Sequence, residues 1–275
     1  MRQQSLPYPQ GRAGAERAPE RSPRVAGALP AGTGLLLSLV ALVVVWKAVV
    51  VIRDYPAFIL PAPEVVLKRL IDEFASGTLR RHMTVTLVES LGGFGLALAV
   101  SMALGYALAH IPRLERVLAP QLAATQAVPV VAIAPLIILW VGADIRSKIL
   151  VAALVTFFPI LSSTVVALRS VPRELMEMAK ISGANRWQAL WHVELPLALP
   201  GVFGGVKSGL ALATTGAVVG EFVGSRDGLG ALINISRGLF DTPLMFAALI
   251  TLAALTLSFY LVAVLLERAL VRWEL

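Results

Sequence analysis

The sequence consists of long apolar runs separated by short polar stretches. Each run is close to the roughly 20 apolar residues that a helix needs to cross a bilayer core, whereas membrane β-barrels show short alternating segments. We therefore predict an all-α polytopic membrane protein with six transmembrane helices. The runs cover about residues 35–52, 85–109, 118–141, 149–168, 201–223 and 244–266.

The stretches outside the runs predict a flexible tail and one surface helix. Residues 1–33 carry five Arg and five Pro with little apolar content, and such a composition cannot bury enough surface to fold. The first run is interpreted as an anchor rather than a signal peptide, because VIRDYPAF lacks a small-residue cleavage site. The segment PAPEVVLKRLIDEF predicts an amphipathic helix with Pro63 and Glu64 in its first turn.

Small residues recur at every fourth position in two of the runs. One run contains Gly93, Ala97, Ser101, Gly105 and Ala109, and the other contains Gly201, Gly205 and Gly209. This spacing lets helix backbones approach closely in a membrane, where lipid supplies no hydrophobic driving force between helices. The two stripes indicate helices packed in protein, either within one chain or at the seam of a dimer.

The third run contains residues that are unusual in a membrane helix. It includes Pro120, Pro129 and Pro135 together with Gln121 and Gln126. Proline frees backbone carbonyls, which a membrane tolerates where they are buried in protein or face a wet cavity. Because Gln126 lies three residues before Pro129, one interpretation is a broken turn beside a water-filled pathway, and the other is ordinary kinked packing.

Composition and charge narrow the function classes. The mean hydropathy is +0.78 and 15% of the residues are charged, against about 25% in a soluble domain. The net charge of +7 does not indicate a nucleic-acid partner, since the basic residues lie at the ends of apolar runs, where they meet lipid head groups. The segments predicted on the same side of the membrane as the N-terminus hold 13 Lys and Arg, and those on the other side hold nine. Because cytoplasmic loops carry the excess of Lys and Arg, this difference favours a cytoplasmic N-terminus.

The sequence shows no pattern typical of catalysis or of a cofactor. It has no cysteine, its histidines are far apart, and HExxH, GxSxG and phosphate-binding loop motifs are missing. No metal and no cofactor are therefore predicted. An intramembrane enzyme would need a nucleophile with a base, or clustered metal ligands, inside the runs. Besides an enzyme, another possible function class is a structural or assembly subunit.

One polar segment, EMAKISGANRWQALWHVELP at residues 177–196, stands out within the apolar second half. It fits the pattern E-x-A-x-x-x-G, nine residues, then I/V-x-L-P, through Glu177, Ala179, Gly183, Val193, Leu195 and Pro196. This long fixed spacing resembles the cytoplasmic coupling loop of permease subunits of ATP-binding-cassette (ABC) importers. Met178 stands where the first Ala is usual.

Other segments are similar to the nitrate/sulfonate/taurine-type permeases, and the resemblance covers about residues 58–273. They include ILPAPEVVLKRL, HMTVTLVESLGGF, TQAVPVVAIAPLIILWVG, SKILVAALVTFFPIL, GAVVGEF and GLGALI. The resemblance implies a type I importer fold over residues 34–275, with a cytoplasmic coupling helix within 170–200. It also implies a second permease subunit (a homodimer), cytoplasmic ATPase subunits and an extracytoplasmic binding protein. The expected location is the cell inner membrane.

The resemblance further implies roles for individual residues of the loop. ATPase coupling is expected of Glu177, Ala179, Gly183, Trp187, Leu195 and Pro196. Apolar anchors are expected at Met178, Ile181, Trp187, Leu190 and Trp191, because aromatic and apolar side chains dominate many interfaces. Gly183 is expected at positive φ, where the chain reverses between two short helices. The alternative is an amphipathic loop that merely lies on the membrane surface.

The substrate class is indicated by one departure from the pattern. Sulfonate and nitrate members commonly carry Arg where this chain has Glu89, and TLVESLGGF looks more like the branch that handles thiamine pyrimidine precursors and riboflavin. A neutral or weakly charged heterocycle is therefore expected, with aliphatic sulfonates, taurine or nitrate as the alternative. The candidates for the substrate pathway are Gln126, Thr214, Thr215 and Glu221. Hydrogen bonds between helices explain Glu221 equally well.

Overall fold

The computed structural model describes residues 31–271, so most of the predicted tail and the last four residues lie outside the described chain. The helices are α1 (Ala31–Arg53), α2 (Pro63–Ser76), α3 (Thr78–His110), α4 (Pro112–Thr125), α5 (Val130–Val141), α6 (Ile145–Arg169), α7 (Arg173–Ile181), α8 (Arg186–Ala189), α9 (Leu195–Phe222), α10 (Leu229–Gly238) and α11 (Thr242–Leu270). A π-helical turn at Leu190–Glu194 joins α8 to α9. The part of the chain that the structure describes contains no β-strand.

The described residues divide into two units. The first ends at Trp46 and contains most of α1, which is long and apolar enough over Leu36–Arg53 to cross a membrane. The second begins at Lys47 and contains α2 to α11. Within the second unit Lys47 pairs with Glu64, in the first turn of α2, and Pro63 opens that helix. The predicted surface helix is thus present, with the predicted residues at its start.

Five helical stretches are long and apolar enough to span a membrane, namely those in α1, α3, α6, α8–α9 and α11. The predicted third span is instead two helices, α4 and α5, bent by 96° at residues 126–129. Pro129 has extended backbone angles ahead of α5, and a proline disfavours helical angles in the residue before it. If α4 and α5 are counted together as one broken span, the described chain has six candidate spans.

The centre of the second unit is α6, which packs against both α3 and α9. An added Cβ on Gly105 of α3 would lie 2.7 Å from Thr164 of α6, and one on Gly209 of α9 would lie 2.7 Å from Ile160. Gly205 meets Ser163 in the same way at 2.6 Å. Both small-residue stripes therefore serve close packing within one chain, which is the first of the two interpretations.

Polar contacts join the helices at the two ends of this bundle. At one end Arg69 of α2 pairs with Asp241, ahead of α11, at 2.8 Å. At the other end Arg169 of α6 pairs with Glu115 of α4 at 2.6 Å. The segment α7–α8 follows Arg169, so it lies at the second end, which we call the α7–α8 end. The helices α2 and α10 lie at the opposite end.

Candidate functional site

The reversal between α7 and α8 is built around Gly183. Its φ is +83°, in the left-handed region that favours glycine, as the sequence predicted. The turn is closed by backbone hydrogen bonds from Gly183 to Lys180 and from Ala184 to Ala179, each with a donor–acceptor distance of 3.0 Å. An added Cβ would have no neighbour within 4 Å. The backbone angle, rather than lack of space, therefore calls for glycine here.

The short helix α8 is fixed at its start by a reciprocal cap. The Asn185 side chain accepts from the Gln188 backbone N–H at 2.8 Å, and the Gln188 side chain accepts from the Asn185 N–H at 2.9 Å. The helix then continues through the π-helical turn into α9 without a break. The exposed segment is therefore joined to α9, a helix long and apolar enough to span a membrane, without an intervening loop.

The α7–α8 segment exposes large apolar side chains. The exposed fractions are 62% for Met178, 87% for Ile181, 70% for Trp187 and 63% for Trp191. Neighbouring apolar side chains of this size are unusual on a free surface and are typical of a binding surface. We call these four residues the apolar surface of the α7–α8 segment. Leu190, the fifth predicted anchor, is half-buried instead.

The other predicted coupling residues take two positions. Glu177 is exposed, while Ala179 is half-buried. Together with Gly183, Ala179 lines a groove of about 480 Å³ between α7 and the π-helical turn. Leu195 and Pro196 open α9 and are half-buried. The motif therefore combines exposed residues with residues that shape and support the segment.

Glu194 is a further residue of this segment, and the sequence reasoning did not single it out. It lies in the π-helical turn with 5% of its surface exposed, and its Oε1 lies 2.9 Å from Nε2 of His110, the last residue of α3. The other ring nitrogen of His110 lies 2.9 Å from the Tyr106 carbonyl oxygen. The signal in the sequence was a lone Glu between apolar residues, in HVELP.

A buried acidic cluster lies at the end of the bundle opposite α7–α8. Glu221 of α9 accepts a hydrogen bond from the Thr86 hydroxyl at 2.6 Å and further bonds from the backbone N–H groups of Gly230 and Ala231. The buried Glu89, one helical turn from Thr86 on α3, interacts electrostatically with Glu221. An added Cβ on Gly230 would lie 2.7 Å from Glu221, which explains a small residue in GLGALI.

Glu89 lies inside this cluster and not on an exposed wall. It is 1% exposed, and one of its carboxyl oxygens has no hydrogen-bond partner in the described chain. Glu221 is likewise 1% exposed. The hydrogen bonds of Glu221 fit the interhelical interpretation given for it above, and Glu89 has almost no exposed surface.

The remaining pathway candidates have separate surroundings. Thr214 is buried, and its hydroxyl lies 2.8 Å from that of Thr256 on α11. Thr215 is exposed, about 100° around α9 from Thr214, and Gln126 is exposed at the bend between α4 and α5. The described contacts do not join these side chains to Glu221.

The middle of one exposed face of α9, between Leu197 and Phe222, carries small and hydroxyl side chains. Gly204, Ser208 and Thr215 are exposed and share a face, since their spacings of four and seven residues match one and two helical turns. On α11, by contrast, the exposed residues include Leu257, Leu261 and others of the kind that face lipid. The α9 face is the more polar of these two surfaces.

Comparison with known proteins identifies the family. Residues 95–272 match the family described as binding-protein-dependent transport system inner membrane component. The riboflavin transport system permease protein RibX of Chloroflexus aurantiacus is 65% identical over 88% of this chain and 90% of its own length. The formylaminopyrimidine transport permease protein ThiX of Halalkalibacterium halodurans is 32% identical over 86% and 94%. A putative aliphatic sulfonates transport permease protein, SsuC of Bacillus subtilis, is 34% identical over 88% and 87%.

The fold also matches a solved structure. A chain of the MetNI methionine ABC transporter, in an inward-facing conformation, superposes with a TM-score of 0.63 over 72% of this chain and 98% of that one. The sequences are 20% identical, so this likeness speaks for the fold alone. The predicted all-α type I importer fold is confirmed. The family match covers more than half of the chain, and the chain therefore belongs to the inner membrane components of binding-protein-dependent transport systems, as the permease subunit of an ABC importer.

Proposed function

We propose that this permease imports riboflavin or a closely related flavin. The observation that carries the proposal is the 65% identity to a riboflavin permease, against 32% and 34% to the formylaminopyrimidine and aliphatic sulfonate permeases. A thiamine pyrimidine precursor is the second candidate, and sulfonates, taurine or nitrate are the third. Glu89 does not support the ranking, because it lies inside the bundle.

We also propose that two copies of the chain pair and that the exposed face of α9 lines the pathway between them. A lipid-facing surface would be expected to carry large apolar side chains. The middle of this face, between Leu197 and Phe222, instead carries the small or hydroxyl-bearing Gly204, Ser208 and Thr215. Gln126 at the α4–α5 bend is a further exposed polar group for this pathway. Hydroxyl and amide groups suit a neutral heterocycle, which offers hydrogen-bonding atoms rather than a full charge.

The apolar surface of the α7–α8 segment is proposed as the site that receives the ATPase. Met178, Ile181, Trp187 and Trp191 are exposed on a segment that leaves the bundle and returns directly into α9. Aromatic side chains that insert into a partner's groove are frequent centres of binding energy. With this segment in the cytoplasm and six spans, the N-terminus is cytoplasmic as well.

In this proposal the chain itself carries no catalytic activity, and a partner hydrolyses ATP. The sequence contains no phosphate-binding loop. The most direct test of the substrate is mass spectrometry of the small molecule that co-purifies with the cognate binding protein. We expect a flavin. A pyrimidine or an alkyl sulfonate in its place contradicts the riboflavin proposal but leaves the family unchanged.

A further inference from the structure

His110 and Glu194 connect the α7–α8 segment to α3. His110 is the last residue of α3, Glu194 is the last residue of the π-helical turn, and the His110 Nε2 lies 2.9 Å from the Glu194 Oε1. We infer that this pair is the positioning contact through which a displacement of the α7–α8 segment reaches α3. The inference rests on the proposed ATPase-coupling role of that segment.

The contact holds both ring nitrogens of His110. The His110 Nδ1 lies 2.9 Å from the Tyr106 carbonyl oxygen, which can only accept, so Nδ1 donates. The His110 Nε2 faces the Glu194 carboxyl oxygen. The imidazole ring is therefore fixed in orientation between its own helix and the π-helical turn.

Burial makes the contact costly to break. Glu194 is 5% exposed, and a buried carboxylate that loses its partner pays a large desolvation penalty. Its backbone lies in a π-helical turn, a less regular form of helix that often marks functional positions. The apolar surface of the α7–α8 segment is close by, since Trp191 belongs to the same turn. A push on Trp191 is therefore applied directly to the element that holds Glu194.

The receiving helix runs the length of the bundle. α3 has 33 residues and is about 50 Å long at about 1.5 Å per residue. Near its other end Thr86 accepts a hydrogen bond from the Leu229 N–H and donates one to Glu221, so it joins α3 to α10 and α9. A movement that enters α3 at His110 thus arrives at the opposite end of the bundle. The hydrogen bonds of Arg169, by contrast, tie α6 to α3 and α4.

A crosslinking experiment in the complete transporter tests this role. The sequence contains no cysteine, so His110→Cys combined with Glu194→Cys introduces the sole thiols of the permease. In the uncrosslinked double variant we expect the ATPase subunits to be retained. ATP hydrolysis stimulated by loaded binding protein should fall about tenfold, within the usual range of coupling between sites. A short bifunctional thiol reagent should then restore stimulation to within about twofold of the unmodified transporter, a change of under about half a kcal/mol.

Each single-cysteine variant, treated with the same reagent, serves as the control and should stay uncoupled. Trp187→Ala tests the proposed coupling surface separately, because it should lose the ATPase subunits themselves. If the uncrosslinked double variant is stimulated normally, or if crosslinking fails to restore stimulation while Trp187→Ala behaves as expected, the inference about His110 and Glu194 is wrong and the coupling proposal stands. If Trp187→Ala retains fully stimulated ATPase, the coupling proposal itself fails.

Discussion

Single residues of the buried acidic cluster have different tasks. Glu221 accepts from Thr86, Gly230 and Ala231, and it thereby holds the start of α10 against α3. Glu89 is equally buried, but one of its carboxyl oxygens has no hydrogen-bond partner among the described residues.

This division predicts an asymmetry between two isosteric substitutions. Glu89→Gln leaves the three hydrogen bonds to Glu221 in place and should change the thermal unfolding temperature in detergent very little. Glu221→Gln places an amide N–H₂ among three donors and should destabilise the fold by about 1–3 kcal/mol for each donor left unsatisfied. Equal losses in both variants would contradict the assigned roles.

At the scale of elements, the reversal in the α7–α8 segment depends on one backbone angle. Gly183→Val should strain this turn by about 1–3 kcal/mol, because a β-branched residue is forced into positive φ. We expect the variant to insert normally and to lose ATPase association in a pull-down from detergent. Gly95→Val is the matched control, since that glycine also has open space around it but no positive φ. Normal association of Gly183→Val would contradict the proposed coupling role.

The packing of α9 on α6 gives a second prediction with neighbouring positions. Gly205→Ala places a Cβ 2.6 Å from Ser163, whereas Gly204→Ala meets nothing within 4 Å. Overpacking of a well-packed core costs about 1–3 kcal/mol. Thermal unfolding in detergent should therefore show a loss for Gly205→Ala and almost none for Gly204→Ala. A larger loss for Gly204→Ala than for Gly205→Ala would mean that Gly205 faces away from α6.

Local patterns were enough to predict the elements that depend on local physics. Pro63 at the start of α2 and the positive φ of Gly183 follow from backbone preferences of the residues themselves. The break near Gln126 and Pro129 agrees with one of the two interpretations of that run, although a single span was predicted there. The apolar run at residues 85–109 underestimated the length of α3, which begins at Thr78. The first turns of this helix are polar and contact the start of α10, so hydropathy does not select them.

Features that depend on distant parts of the chain could not be predicted in this way. The π-helical turn and the pairing of Glu194 with His110 join positions 84 residues apart in sequence. The burial of Glu89 and the hydrogen bonds of Glu221 to α3 and α10 required the packing of three helices. The sequence also does not show which side of α9 is exposed, since Thr214 is buried and the adjacent Thr215 is exposed.

At the scale of the whole molecule, the proposal predicts which surfaces face each compartment. Arg186→Cys, at the start of α8, should react with a membrane-impermeant thiol reagent only from the cytoplasm. Arg226→Cys, exposed in the loop before α10, should react only from outside. The native chain has no cysteine, so it gives no background. Labelling of position 186 in intact cells would reverse the assigned topology.

The central claim is that this chain forms the membrane pathway of an ATP-driven flavin importer. Uptake of labelled riboflavin into proteoliposomes that contain the complete complex, with binding protein outside and ATP inside, tests it most directly. We expect saturable, ATP-dependent accumulation of labelled riboflavin. Unlabelled riboflavin should abolish this accumulation, whereas an excess of formylaminopyrimidine, taurine or an alkyl sulfonate should leave it unchanged. ATP-dependent uptake of an alkyl sulfonate or a pyrimidine by the same complex, with no accumulation of riboflavin, would contradict it.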